Sequence, residues 1–112
     1  TLIVPASAKV PLKVTGNTGR LALRQSRSKV AEALLALLQQ PLVATSANLS
    51  GQPTCRSGIE VFGRMDGRID LVLDGGHCPG LGSTTVDITS PAWKVIKSGA
   101  IDEKRIAEVL SQ

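Results

Sequence analysis

The stretch Pro41-Leu-Val-Ala-Thr-Ser-Ala-Asn-Leu-Ser-Gly-Gln-Pro53 constrains this chain more than any other. It opens on Leu42-Val43-Ala44, which reads as an apolar strand, and then turns small and polar at Thr45, Ser46, Asn48, Ser50 and Gly51. Neither a helix nor a strand interior favours so many hydroxyls, an amide and a glycine in succession. One reading is a strand that runs into an anion-binding loop of hydroxyls and bare N–H groups. The other is a turn in which Ser and Asn cap a following helix.

The chain's 112 residues, 42% of them apolar, suffice for one small globular domain, taken as residues 1–112, and argue against disorder. One Trp, one Phe and no Tyr argue against the RNA-binding modules that stack bases on exposed aromatic platforms. A net charge of +4 is compatible with an anionic partner such as a nucleotide or RNA. Cys55, Cys78 and the single His77 match no metal-ligand spacing; two cysteines allow one disulfide in principle, but both read as free thiols in a reducing compartment. No apolar run is long enough to span a membrane and no signal peptide is visible, so a cytoplasmic location is expected. The chain goes from Thr1 straight into an apolar strand, which looks like the interior of a longer protein.

In chain order, Thr1 to Pro5 reads as a central strand, followed by a loop or a short helical turn around Val10–Val14 and a reversal at Gly16-Asn-Thr-Gly19. Leu21 to Arg24 is a second strand. Arg20, Arg24, Arg27 and Lys29 form a basic cluster, either a solvated strand end or a clamp for an anion or carboxylate. Val30, Leu34, Leu37 and Leu38 recur at helical spacing in a helix over Ser28–Gln39, with Ser28 as N-cap and Pro41 as stop. Ser57 and Glu60 form a capping box before a helix that runs to about Met65 and is broken by Gly67.

Leu71-Val-Leu73 reads as a buried strand closed by Asp74-Gly-Gly76, with Asp74 ordering the turn and a glycine-rich loop continuing over His77–Gly82. There His77 reads as a solvent-facing loop residue. Ser83 to Thr89 is a β-branched strand in which Asp87 has the placement to pair with a basic neighbour. Trp93 to Lys97 returns antiparallel, with Trp93, Val95 and Lys97 on one face and Lys94 and Ile96 on the other. Asp102 caps a last helix to about Leu110, with Ile101 and Ile106 at the spacing of a hydrophobic staple. Short strands mixed with three helices give an α/β (α+β) layer fold.

Three blocks together resemble a known family. They are Thr45-Ser-Ala-Asn-Leu-Ser-Gly51, then Asp74-Gly-Gly76 with Gly82-Ser-Thr-Thr-Val-Asp87, then Val95-Ile-Lys-Ser-Gly-Ala-Ile101. Their order and spacing are similar to the YrdC-like threonylcarbamoyl-AMP synthases. The hydrogenase-maturation carbamoyltransferases share the first block but lack the Ser-Thr-Thr-Val-Asp strand and the glycine-alanine-isoleucine close.

The resemblance implies a twisted, mixed, open sheet flanked by helices, with this chain as the C-terminal part of the catalytic domain. It implies a nucleotidyltransferase that condenses L-threonine, bicarbonate and ATP into threonylcarbamoyl-AMP and pyrophosphate for a tRNA modification. ATP enters as substrate, with Mg²⁺ as its candidate companion, and no tightly bound cofactor is implied. By the same resemblance Ser46, Asn48, Thr54 and Lys97 contact the nucleotide, and Arg24, Ala44 and Ser83 contact threonine. No residue is implied as a covalent catalyst and no metal ligand is implied. Candidate partners are tRNA or double-stranded RNA, the family's N-terminal half, and other tRNA-modification proteins.

The chain departs from the family pattern in four places. Lys97-Ser98 replaces Arg-Pro, which turns a bidentate clamp into a point charge. Arg20 stands where a threonine that contacts ATP is common. Gln25-Ser26 follows Arg24 where a proline is usual. The family's basic N-terminal half has no counterpart among these residues, so the isolated 112 residues are expected to be inactive. The alternatives are a non-catalytic RNA-binding module and a structural remnant of the same fold.

Overall fold

The first apolar run forms the interior of a sheet. In the computed structural model, which describes residues 1–78 and 80–111, strands β1 (Leu2–Pro5), β2 (Arg20–Leu23), β3 (Thr85–Asp87) and β4 (Lys94–Lys97) lie in the order β2-β1-β3-β4. β1 runs antiparallel to β2, with Leu2 opposite Leu23 and Pro5 opposite Arg20, and parallel to β3, with Leu2 opposite Val86. β3 and β4 are antiparallel, with a bulge between Thr85 and Val86 that sets Val86 opposite Val95 and Asp87 opposite Lys94. The sheet is therefore mixed and open, as the family resemblance implies, and β1 is central.

Contacts divide the chain into two compact units, Thr1–Arg27 with Gly80–Gln112, and Ser28–Pro79. Pro79, within the glycine-rich loop expected over His77–Gly82, and Gln112 lie outside the described residues.

The first unit holds the sheet. Between β1 and β2 a short 3-10 helix (Leu12–Thr15) ends at Gly16, whose φ of 57° is followed by left-handed Asn17 at 61° and Gly19 at 67°. Glycine and asparagine tolerate that region, and the Ala6 amide closes the reversal on the Gly19 carbonyl at 2.8 Å. β3 is shorter than its β-branched sequence predicts. Asp87 Oδ1 accepts from the Thr89 N–H at 2.8 Å and from the Thr89 hydroxyl at 2.7 Å, so the chain turns there instead of extending the ladder. A helix over Glu103–Leu110 is capped by Asp102, whose carboxylate accepts from the Arg105 N–H at 2.9 Å. Ile101 and Ile106, the staple pair, line one cavity of about 610 Å³ with Val86, Ile88, Val109 and Leu110. Val86 is buried where β1, β3 and this helix meet.

Numbered in chain order, α1 (Lys29–Leu38) and α2 (Gly58–Met65) belong to the second unit, and the Glu103–Leu110 helix is α3. Ser28 caps α1 by accepting from the Ala31 N–H at 3.5 Å. α1 ends one residue before the expected Gln39, because Gln39 is left-handed at a φ of 50° and returns its N–H to the Leu35 carbonyl at 2.9 Å. Ser57 caps α2 by accepting from the Glu60 N–H at 3.3 Å, while Glu60 accepts from the Arg56 N–H at 3.1 Å. The box therefore closes one residue earlier than in the usual pattern.

Two expected strands do not form. Leu42–Ala44 and Leu71–Leu73 are irregular, and Val43 and Leu71 are 79% and 74% exposed. A short apolar run becomes a strand only with a ladder partner, and neither run has one among the described residues.

Candidate functional site

The loop after Ala44 is built by its own backbone. The Asn48 N–H donates to the Ser46 carbonyl at 3.1 Å, the Gln52 N–H to the Leu49 carbonyl at 2.9 Å, and the Cys55 N–H to the Ala47 carbonyl at 2.8 Å. These bonds fold residues 46–55 back on themselves. The closure brings Thr54 to Asn48, and the Thr54 hydroxyl donates to Asn48 Oδ1 at 3.4 Å. Asn48 Nδ2 donates to the Leu49 carbonyl at 2.9 Å, which fixes the orientation of the amide. Arg64 of α2 holds the far end of the loop by donating to the Pro53 carbonyl at 3.1 Å. Ala44, Ser46 and Thr54 are exposed and Asn48 is half-buried. The loop thus presents hydroxyls and an amide on a braced backbone. It is not the cap of a following helix, since Ser57, beyond the loop, caps α2.

In the first unit, Arg24 stands just past the end of β2 and Ser83 just before β3. Both line a cavity of about 430 Å³ together with Leu23, Gln25, Arg27 and Ile101. Gln25 and Arg27 were not singled out as site residues from sequence, although Arg27 belongs to the basic cluster that pointed to Arg24. Two guanidinium groups and a hydroxyl in one cavity suit a small carboxylate-bearing ligand.

Backbone contacts hold Ser83 in place. The Ala100 N–H donates to the Gly82 carbonyl at 3.0 Å. Thr84, only 5% exposed, donates its hydroxyl to the Ile101 carbonyl and accepts from the Ile101 N–H at 3.1 Å. A side chain on Gly99 would overlap the backbone of Gly82, Ser83 and Thr84, so a glycine is what lets these two segments meet. Lys97, on β4, carries its Nζ to Gly82, 3.8 Å from where a Cβ at that residue would lie. The seven sequence-derived positions therefore form two groups. Arg24, Ser83 and Lys97 belong to the first unit, and Ala44, Ser46, Asn48 and Thr54 belong to the second.

Arg20 is otherwise engaged. Its guanidinium pairs with Asp87 Oδ2 at 3.2 Å, reaching across β1 from β2 to β3. The Asp87 carboxyl is held below its ordinary value of 3.8 first by the hydroxyl and then by the amide of Thr89. The Arg20 and Lys94 charges add to this, against desolvation. Asp74 orders its turn by accepting from the Gly76 N–H at 2.9 Å, and His77 is exposed. Among the described residues no group of three or more His, Cys, Asp or Glu could hold a metal ion, and no helix is long and apolar enough to cross a membrane.

Comparison with known proteins adds a family. The Sua5/YciO/YrdC sequence model, described as telomere recombination, matches residues 1–99. A threonylcarbamoyl-AMP synthase of Pyrococcus abyssi is 32% identical over 113 residues, covering 100% of this chain and 33% of that protein. One from Xanthomonas campestris pv. campestris is 45% identical over 75 residues, covering 67% of this chain and 40% of that protein. The solved structure of P. abyssi Sua5 complexed with L-threonine superposes with a TM-score of 0.92 at 32% identity, covering 97% of this chain and 32% of that one. The chain thus spans between 33% and 40% of the length of these two curated relatives.

Proposed function

The chain belongs to the Sua5/YciO/YrdC family, and from that premise we propose that the protein makes threonylcarbamoyl-AMP from L-threonine, bicarbonate and ATP, releasing water as the amine forms the carbamate and then pyrophosphate. The observation that carries this reading is the convergence of Arg24 and Ser83, from distant parts of the sequence, on one cavity. A planar guanidinium holds the threonine carboxylate through two parallel hydrogen bonds, and the Ser83 hydroxyl lies beside the amine that becomes the carbamate.

In the reaction a carbamate oxygen forms a bond to the α-phosphorus of ATP. The bond from that phosphorus to the bridging oxygen breaks, and pyrophosphate carries the electron pair away. Both reactants are anionic, so the protein's task is positioning and charge compensation, with no covalent nucleophile required. Ser46, Asn48 and Thr54 supply hydrogen-bond donors to the nucleotide from a loop already braced by its own backbone. Lys97 contributes a single positive charge where a fork would bind two oxygens. ATP brings Mg²⁺ on its own phosphates, which needs no dedicated protein cage. In this reading the product serves tRNA modification, the role that supports a cytoplasmic location. The RNA-binding alternative draws only on the net charge of +4.

The test is Arg24→Lys, introduced in the full-length protein, in an assay of threonine-dependent pyrophosphate release. The KM for threonine should rise while that for ATP stays unchanged. Equal losses toward both substrates would remove Arg24 from the carboxylate and with it the observation on which the proposal stands.

A further inference from the structure

The structure divides the basic cluster that follows the first reversal. Arg20 is neutralised by Asp87 at 3.2 Å. Arg24 lines the cavity of about 430 Å³ and is assigned above to the threonine carboxylate. Arg27 is left over. It lines that same cavity and also the neighbouring one of about 610 Å³. Among the described residues no Asp or Glu lines either cavity, and the only charged side chain there besides Arg24 and Arg27 is Arg105.

Arg24 and Arg27 are both exposed, so a small anion can reach them from solvent. Among the described residues neither side chain has an ion pair or a hydrogen bond. Two guanidinium groups that share a cavity without a carboxylate repel each other, and a ligand with two negative charges relieves both. They stand in the irregular segment just after β2 and give one ligand two separate anchors.

We infer that Arg27 binds the second carboxylate of the threonine carbamate, the one newly made from bicarbonate; this rests on the function proposed above. The neutral amine of threonine attacks the bicarbonate carbon and a C–N bond forms. The C–OH bond breaks, and the departing hydroxide takes a proton from the nitrogen and leaves as water. Threonine with a neutral amine and bicarbonate each bring one negative charge, so the carbamate carries two. Arg24 compensates the first and Arg27 the second. The two carboxyl carbons are about 3–4 Å apart at ordinary bond lengths. With one end on Arg24, the other therefore stays within the cavity that Arg27 lines. A guanidinium fork takes one lone pair from each carboxylate oxygen and leaves another free to attack the α-phosphorus.

The test compares two stable analogues in the full-length protein by calorimetry, without ATP. In 2-(1-hydroxyethyl)succinate a methylene replaces the carbamate nitrogen, and the ligand is a dianion of similar shape. Its monoamide, at the carboxyl that stands for the carbamate, is a monoanion of similar size. Wild type should bind the dianion at least about 10-fold more tightly, the worth of one charge-assisted hydrogen bond. Arg27→Gln should abolish that preference and leave the affinity for the monoamide within about twofold, whereas Arg27→Lys should keep part of the preference. A dianion that binds no more tightly than the monoamide, or a preference that survives Arg27→Gln, would overturn the assignment. Equal weakening of both analogues, the mark of a merely structural role, would overturn it too. Because binding is read without turnover, the two readings fail separately. An Arg27-dependent preference in a protein that releases no pyrophosphate would count against the proposed function alone, and normal turnover without that preference would count against Arg27 alone.

Discussion

Replacing Thr84 with valine keeps the shape of the side chain and removes its hydroxyl. That hydroxyl donates to the Ile101 carbonyl and accepts from the Ile101 N–H, so one atom serves two backbone groups of a segment distant in sequence. A net hydrogen bond is worth about 0.5–1.5 kcal/mol, and leaving a group buried and unpaired costs roughly 1–3 kcal/mol. Thr84 is 5% exposed but Ile101 is 52% exposed, so water can reach the abandoned backbone groups. The lower end therefore applies, and Thr84→Val should cost about 1–2 kcal/mol in all. Thr84→Ser keeps the hydroxyl and loses one methyl, for about 0.8 kcal/mol. Urea unfolding followed by circular dichroism measures both, with the slope expected to stay constant. If the serine variant proves as destabilised as the valine variant, the methyl and not the hydroxyl holds the segments, and the account of how Ser83 is positioned fails.

Gly99→Ala pushes a methyl into the backbone of Gly82 to Thr84, which cannot rotate aside, and should destabilise by roughly 1–3 kcal/mol with weaker threonine binding by calorimetry; full retention of both would refute the close approach. Asp87 has a lowered folded pKa, so its contribution is present above its ordinary value of 3.8 and is lost as pH falls through the lowered one. The stability gap between wild type and Asp87→Asn, read as urea midpoints across that range, should therefore shrink on acidification, and a gap that stays constant would contradict the assignment. In the full-length protein, Asn48→Ala removes the proposed nucleotide contact and the acceptor for Thr54, and should slow threonine-dependent pyrophosphate release by about 10- to 100-fold; unchanged turnover would place Asn48 outside the site.

What was legible in the sequence was mostly local. Ser28, Ser57 and Asp102 announce their helices because a cap bonds within three residues of itself. The Gly16–Gly19 reversal is equally self-contained. Leu42–Ala44 and Leu71–Leu73 misled because strand formation depends on a partner that sequence does not display. Asp87 shows both sides. Its pairing with a basic neighbour was readable from alternation, but its bonds to Thr89, which end β3 early, were not. At the candidate site, the family resemblance located Arg24 and Ser83, whereas Arg27 and Gln25 emerged only once the cavity was formed. Gly99 left a usable signal, a glycine two residues past β4, but its partner at Gly82 is visible only in three dimensions.

The position of β1 carries a consequence for how the protein is made. Its antiparallel partner β2 follows shortly and can pair early. Its parallel partner β3 lies beyond the whole 28–79 unit. At about 5–20 residues per second, a ribosome takes between roughly 3 and 10 s to pass through that unit. For that interval the nascent β1–β2 pair keeps an open edge with unpaired N–H and C=O groups, the kind of edge on which strands from other chains can add. The sheet closes only when β3 emerges, so a translational pause within the 28–79 unit lengthens the period of aggregation risk, and a chaperone that shields that edge shortens it.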